Sequence, residues 1–386
     1  MITSSFPTWQ QSFSNPSEYC RLSLRKWPEK TGIVAIPYSM MNFGQLANGR
    51  RSTMTMKYII TIIALSIVYI LIPFTASAHV KWFSTETPIK APLEEIVSPL
   101  FITLTLIISV TLGVLPKLST KLQHFNLVKT ADKRLTSLRP YSPILLRLGV
   151  AFALMIQLLS GSILAPEIPV RQMTMWIAIL TISLLLMPNK MATQLGAIGL
   201  FMLFVFEIQF FGFFHMLEYS YYLAIVLALL IQKTRYHHFG IPILYLGTGF
   251  SLCWAALEKL VFPELSINII ESFNIPTFGI EPSILVVLGA FIEFVLGYLL
   301  LIGIFNRLLA LSITLLFFMT TTVFGITEII GHSIIHIILI IFIIEGKGFY
   351  PTPIEIHRGL RHQTVFIVFN FLLINLALLL LYYRFA

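Results

Sequence analysis

Charge is scarce in this chain. Asp, Glu, Lys and Arg make up only 11% of its 386 residues, against about 25% in a soluble domain. Cysteine is nearly missing: Cys20 and Cys253 form no C-x-x-C pair, so neither a thiolate metal site nor a dithiol redox centre is available. A disulfide between them is not expected, because Cys253 sits in an apolar run and Cys20 in a polar N-terminal stretch. Nucleotide and protease fingerprints (Walker A, G-x-S-x-G, H-E-x-x-H, G-x-G-x-x-G) are also missing. Nucleotide hydrolysis and soluble-type proteolysis therefore drop out. What remains is 57% hydrophobic, with a mean hydropathy of +0.86. That composition excludes a cytosolic enzyme, a disordered tail and a collagen-like fibre. It predicts an all-α polytopic membrane helix bundle, since only helices satisfy every backbone group across an open stretch of lipid.

The N-terminal region differs from the rest. Residues 1–56 are polar and Ser-rich and read as a non-native or disordered extension ahead of a start at Met54 or Met56. Residues 57–78 then follow the secretory pattern: Lys57, an apolar run over 58–72, Pro73, and Ala76-Ser77-Ala78 as an A-x-A cleavage site. An uncleaved anchor helix over 57–78 is the alternative. Cleavage after Ala78 would make His79 the terminal residue. Its freed amine and imidazole could then bind copper together, although a His beside a cleavage site is usually incidental.

Ten further spans follow at 98–116, 143–164, 172–188, 194–212, 216–232, 241–261, 282–304, 308–326, 329–344 and 365–383. With His79 outside, the inner loops hold Lys117, Lys121, Lys129, Lys133, Arg134, Arg139, Lys190, Lys233, Arg235, Arg307, Lys347, Arg358 and Arg361. The outer loops hold only Lys81, Lys90 and Arg171. This asymmetry predicts a bacterial inner-membrane protein with a periplasmic mature N-terminus. The net charge of +9 is thereby a topology signal, and nucleic acid is not expected as a partner.

The spans contain an internal echo. RLGVAFALMIQLLSGSILAPE at 147–167 aligns with YLGTGFSLCWAALEKLVFPE at 245–264, and FGFFHMLEYS from Phe211 parallels FGITEIIGHS from Phe324. The chain thus divides into an outer segment, first span and basic inner loop (79–142), a first four-helix unit (143–232), a second unit (241–345), and an inner loop with a last span (346–386). Both units start inside, so they run parallel, related by an axis along the membrane normal.

Ionisable groups inside a bilayer are costly and mark functional positions. Glu328, His332 and His336 follow one another at i, i+4 and i+8, which places them along one drifting helix face. Two imidazoles with a carboxylate one turn above suit a transition metal such as Cu, Zn or Fe, provided other helices complete the ligand set. Histidines bonded to neighbouring helices or lining a wet cavity are the alternative. His215 and Glu218, near Tyr219, Tyr221 and Tyr222, occupy the corresponding place in the first unit, with Glu207 two turns earlier. Glu258 and Lys259 end a span at the outer face, where interfacial snorkelling is the plain alternative to chemistry. Glu293 falls near mid-membrane, where it must be neutral, paired or wet. It could accept a proton, or meet Lys259 or a His. Trp82, Trp176 and Trp254 read as aromatic belt. The outer loop 262–281 reads as solvated, as do His237, His238, His357 and His362 among basic residues.

The second unit carries a resemblance. LGTGFSLCWAALEKLVFPE and PSILVVLGAFIEFVLGYLLLIGIFNRLLAL resemble the first and second helices of DoxX-like membrane proteins, with a Trp followed by Glu-Lys, an inward Glu, a Gly and a basic turn. The resemblance covers roughly 240–345 and only faintly 143–232. It implies four-helix units and, for some members, a quinone-linked oxidoreductase subunit acting on sulfur compounds. The first unit departs from it, with Ser160 and Gly161 where the second has Glu258 and Lys259. If the family chemistry is shared, Glu258, Lys259 and Glu293 are its expected carriers. Three functions stay open: a quinone-linked redox subunit with a periplasmic or membrane partner, a metal-binding or metal-transport protein using His79, His215, Glu218, Glu328, His332 and His336, and a structural subunit of a membrane complex whose polar groups join helices.

Overall fold

A computed structural model of the chain describes residues 82–84, 87–122, 125–346, 352–357 and 359–386. The N-terminal extension, the signal at 57–78 and His79 lie outside the described residues. So do Lys81, Lys347 and Arg358 among the topology-setting cations.

Each of the ten expected spans coincides with a helix. Eight helices among the described residues are long and apolar enough to cross a membrane, and Gln172–Leu186 and Tyr221–Ile231 are shorter apolar helices. In chain order, a single turn α1 (Leu93–Ile96) precedes α2 (Pro99–Leu112), α3 (Leu115–Leu122) and α4 (Asn126–Thr136). The first unit follows as α5 (Ser142–Leu159), α6 (Gln172–Leu186), α7 (Lys190–Met216) and α8 (Tyr221–Ile231). The second comprises α9 (Gly240–Val261), α10 (Pro263–Ser272), α11 (Pro282–Ile302), α12 (Asn306–Phe324) and α13 (Ile326–Glu345), and α14 (Leu360–Phe385) closes the chain. Starts and stops follow local chemistry. Ser98 and Asn189 cap α2 and α7 through their side-chain oxygens. Gly212 interrupts α7 at φ 80°, and Gly325, at φ 66°, separates α12 from α13. Glycine tolerates this backbone without strain, so both Phe-Gly steps of the sequence echo fall where the chain bends.

Two expectations need correction. The span at 143–164 stops at Leu159, because Gly161 at φ 80° turns the chain. A small antiparallel hairpin follows, β1 (Ser162–Ile163) and β2 (Ala165–Pro169). The outer loop at 262–281 is not wholly irregular, since α10 occupies half of it and buries Leu265, Ile269 and Ile270.

The sides of the bundle are apolar. Val110, Phe152, Leu180, Phe213, Phe369 and Leu373 are all more than half exposed. Such continuous apolar relief is stable only against lipid, and this is a multi-pass membrane protein. One end gathers the basic loops. There Arg147 donates to the carbonyls of Leu185 and Met187, Arg139 to that of Glu345, and Arg307 to those of Ile343 and Ile344. These guanidinium groups satisfy helix C-termini, as the dipole favours. The other end holds the carboxylate-rich side: the Ala91 N–H meets the Val261 carbonyl, and Lys90 Nζ takes the Tyr383 carbonyl at 2.5 Å.

Packing is organised by small residues. α5 contacts α6, α6 contacts α7 and α7 contacts α8. In the second set α9 contacts α11, α11 contacts α12 and α12 contacts α13. The first helix of each set packs on the last of the other, α9 on α8 and α5 on α13. Gly149 and Gly247 stand at these two junctions: a Cβ on Gly149 would come within 2.4 Å of Ile337, and one on Gly247 within 2.4 Å of Ala224.

Candidate functional site

The carboxylate-rich end contains four groupings of polar side chains, which differ in what they bring together.

The first lies on α13. Glu328 is fully buried and His332 is 1% exposed. His332 Nδ1 is 3.1 Å from Glu328 Oε1, and Thr320 of α12 donates its hydroxyl to the same oxygen. The Phe317 ring lies flat on the His332 imidazole with centroids 4.0 Å apart, and Trp82 touches its other surroundings at 5.0 Å. His336 does not join them. It packs flat on Phe318 and edge-on to Phe317. The expected three-residue face is therefore a pair plus an aromatic-bound imidazole. Among the described residues no three His, Cys, Asp or Glu side chains gather to hold a metal ion.

The second grouping sits beside it, built around the hairpin. Gln157 of α5 fixes the turn: its Oε1 accepts the Leu164 N–H at 3.1 Å and its Nε2 reaches the Tyr222 hydroxyl at 3.0 Å. Tyr222 in turn donates to the Leu164 carbonyl at 2.6 Å. This clamp aims Glu167 at α7 and the turn after it. Tyr219 donates its hydroxyl to Glu167 Oε1, and His215 Nε2 lies 3.4 Å from the same oxygen. His215 thus meets Glu167 rather than its expected neighbour Glu218. Trp82 donates from Nε1 to the Tyr219 oxygen at 3.0 Å. One indole therefore touches both groupings.

The third and fourth are partly buried ion pairs. Lys259 of α9 donates to Glu293 Oε2 of α11, with the two side chains 3% and 15% exposed. Arg171, ahead of α6, donates to Glu207 of α7 at 2.5 Å, its guanidinium lying 3.8 Å above the Phe210 ring. Glu258 and Glu218, each 1% exposed, do not join Lys259. The Ser251 hydroxyl donates to the Glu218 carbonyl.

The residues absent from the sequence reading are Glu167, Thr320 and the role of Trp82. Trp254 is also buried, against Phe214, Phe250 and Tyr382, whereas Trp176 remains on the lipid side at 60% exposure. Among the described residues, Trp82 and Trp254 thus pack against protein rings, and Trp176 does not. Compared with known protein families, with curated proteins and with solved structures, the chain matches none of them.

Proposed function

We propose that this chain is a quinone-linked redox subunit of a bacterial inner membrane, its mature N-terminus periplasmic, and that the carboxylate–histidine–tyrosine network at its carboxylate-rich end exchanges the protons. The reading rests on one observation: Trp82 joins Tyr219–Glu167–His215 to His332–Glu328. Tyr, His and Glu are the side chains that carry protons in general acid–base steps, and here they gather at one end of a membrane bundle. The DoxX-like resemblance of residues 240–345 supports the same reading. Reduction of a quinone takes up two electrons and two protons. In this scheme a reduced sulfur compound, acting through a partner subunit, supplies the electrons. His332 and His215, each beside a carboxylate, supply protons to the carbonyl oxygens.

The test is quinol formation by membranes containing the full chain, with a reduced sulfur donor and a short-chain quinone. Donor-dependent quinol should form and fall at least about a hundredfold in His332→Ala and Tyr219→Phe, the lower end of what a positioned acid–base group contributes. Equal rates in membranes lacking the chain would sink the reading.

The mutual pairing of these groups across helices favours a second reading, a structural subunit in which they act as interhelical glue. Under that reading both variants lose stability but no turnover.

A further inference from the structure

The opposite end of the bundle holds a cavity of about 660 Å³ where the two units meet, within the size range of sites for small lipid-like ligands. Its walls come from the four helices of the inter-unit junctions: Leu146 of α5, Ala228 of α8, Leu244 of α9 and Ile341 of α13 are among them. They make the interior apolar. Its mouth is polar, with Arg139, Gln232, His237 and His238. Ser142 lines it as well, 4% exposed, with a hydroxyl that no group among the described residues takes up.

The surroundings are strongly basic. The loop over one side carries exposed Lys233, Arg235, His237 and His238, and α4, whose C-terminal Thr136 reaches the cavity, carries exposed Lys129, Lys133 and Arg134. Nearby acids are already engaged: Glu345 with Arg139 at 3.4 Å, and Asp132 with Arg307. Net positive charge therefore surrounds an apolar slot at the membrane boundary. Basic pockets between transmembrane helices select anionic lipid headgroups. We propose that this cavity binds one anionic glycerophospholipid, its phosphate meeting Ser142 and the basic rim and the start of an acyl chain filling the space along Leu146, Leu244 and Ile341. A quinone would also accept a hydrogen bond from Ser142, but it would gain little from the rim cations. The site is remote from the carboxylate-rich end and independent of the quinone reading above.

The test is native mass spectrometry of the full detergent-solubilised chain titrated with phosphatidylglycerol, phosphatidylcholine or a short-chain quinone. Phosphatidylglycerol should bind roughly tenfold more tightly than phosphatidylcholine, and added salt should narrow the gap. Ile241→Trp, which fills the slot, should abolish the preference. The exposed rim variant Lys233→Glu/Arg235→Glu should weaken phosphatidylglycerol about tenfold with thermal unfolding unchanged, so the result does not depend on how Ile241→Trp folds. Equal binding of the two phospholipids, binding unaffected by both variants, or retention of the quinone alone would each overturn the proposal.

Discussion

The two four-helix sets share an order of packing, yet each closes tightly at a different place. In the first set the close pair is α6 and α7: Gly196 and Gly199 face the Leu185 and Thr181 side chains, with the nearest approach to Thr181 Oγ1. In the second it is α9 and α11, where Gly249 and Gly297 meet backbone to backbone. A Cβ on Gly297 would lie 2.6 Å from the Gly249 carbonyl oxygen and 2.9 Å from the Cys253 nitrogen. Each set also places one ion pair across its close pair of helices, Arg171–Glu207 on α6/α7 and Lys259–Glu293 on α9/α11. The first pair leaves Arg171 29% exposed, whereas the second leaves Lys259 only 3% exposed. Helix contact and charge pairing therefore go together in both halves; the first half buries its carboxylate completely and leaves its cation partly open, whereas the second buries its cation and leaves Glu293 15% exposed.

Substitutions can break that contrast. The largest effect is expected for Lys259→Met, which strands the Glu293 carboxylate; removing one partner of a buried pair costs about 3–5 kcal/mol. Thermal unfolding in detergent should show the loss, and Lys259→Met/Glu293→Leu should recover much of it. No recovery would mean that the pair is not what links α9 to α11. Arg171→Met strands the fully buried Glu207 carboxylate and should cost a similar amount, and Glu207→Gln in that background should restore part of the loss by removing the stranded charge. Gly297→Ala comes next. It presses on rigid backbone and should cost about 1–3 kcal/mol, clearly more than Gly199→Ala, where Thr181 can rotate away. Equal losses in the same unfolding assay would erase the distinction between the halves. Tyr219→Phe comes last, at about 1 kcal/mol for each of the two hydrogen bonds it removes, to Glu167 and from Trp82. Its sharper readout is tryptophan fluorescence, since Trp82 loses its acceptor; an unchanged spectrum would argue against that contact.

Much of the architecture is legible in the sequence because lipid makes hydropathy decisive. Every expected span is a helix, and the echoed Phe-Gly steps fall at Gly212 and Gly325. Within the site, the readable parts are those set by one helix, such as Glu328 and His332 one turn apart. His336 eludes the same logic. Eight residues at about 100° each leave it roughly 80° around from Glu328, and Phe318 from α12 occupies that side. The Tyr219–Glu167 and Trp82–Tyr219 contacts span 52 and 137 residues, and no periodicity within a single span reports them. A local hint did exist: Gly161, Pro166 and Pro169 punctuate the end of an apolar run, as a tight turn requires, and that turn carries Glu167 back to the bundle.

The brevity of α8 has a consequence for the bilayer itself. Eleven residues rise only about 17 Å, little more than half of a hydrocarbon layer about 30 Å thick. The three tyrosines and Glu218 cluster at its start, where Tyr219 and Tyr222 donate to Glu167 and Leu164 of the β1–β2 hairpin. A thicker membrane strains the short helix at a modest cost per ångström. Thermal unfolding after reconstitution into lipids of graded chain length reads that cost directly.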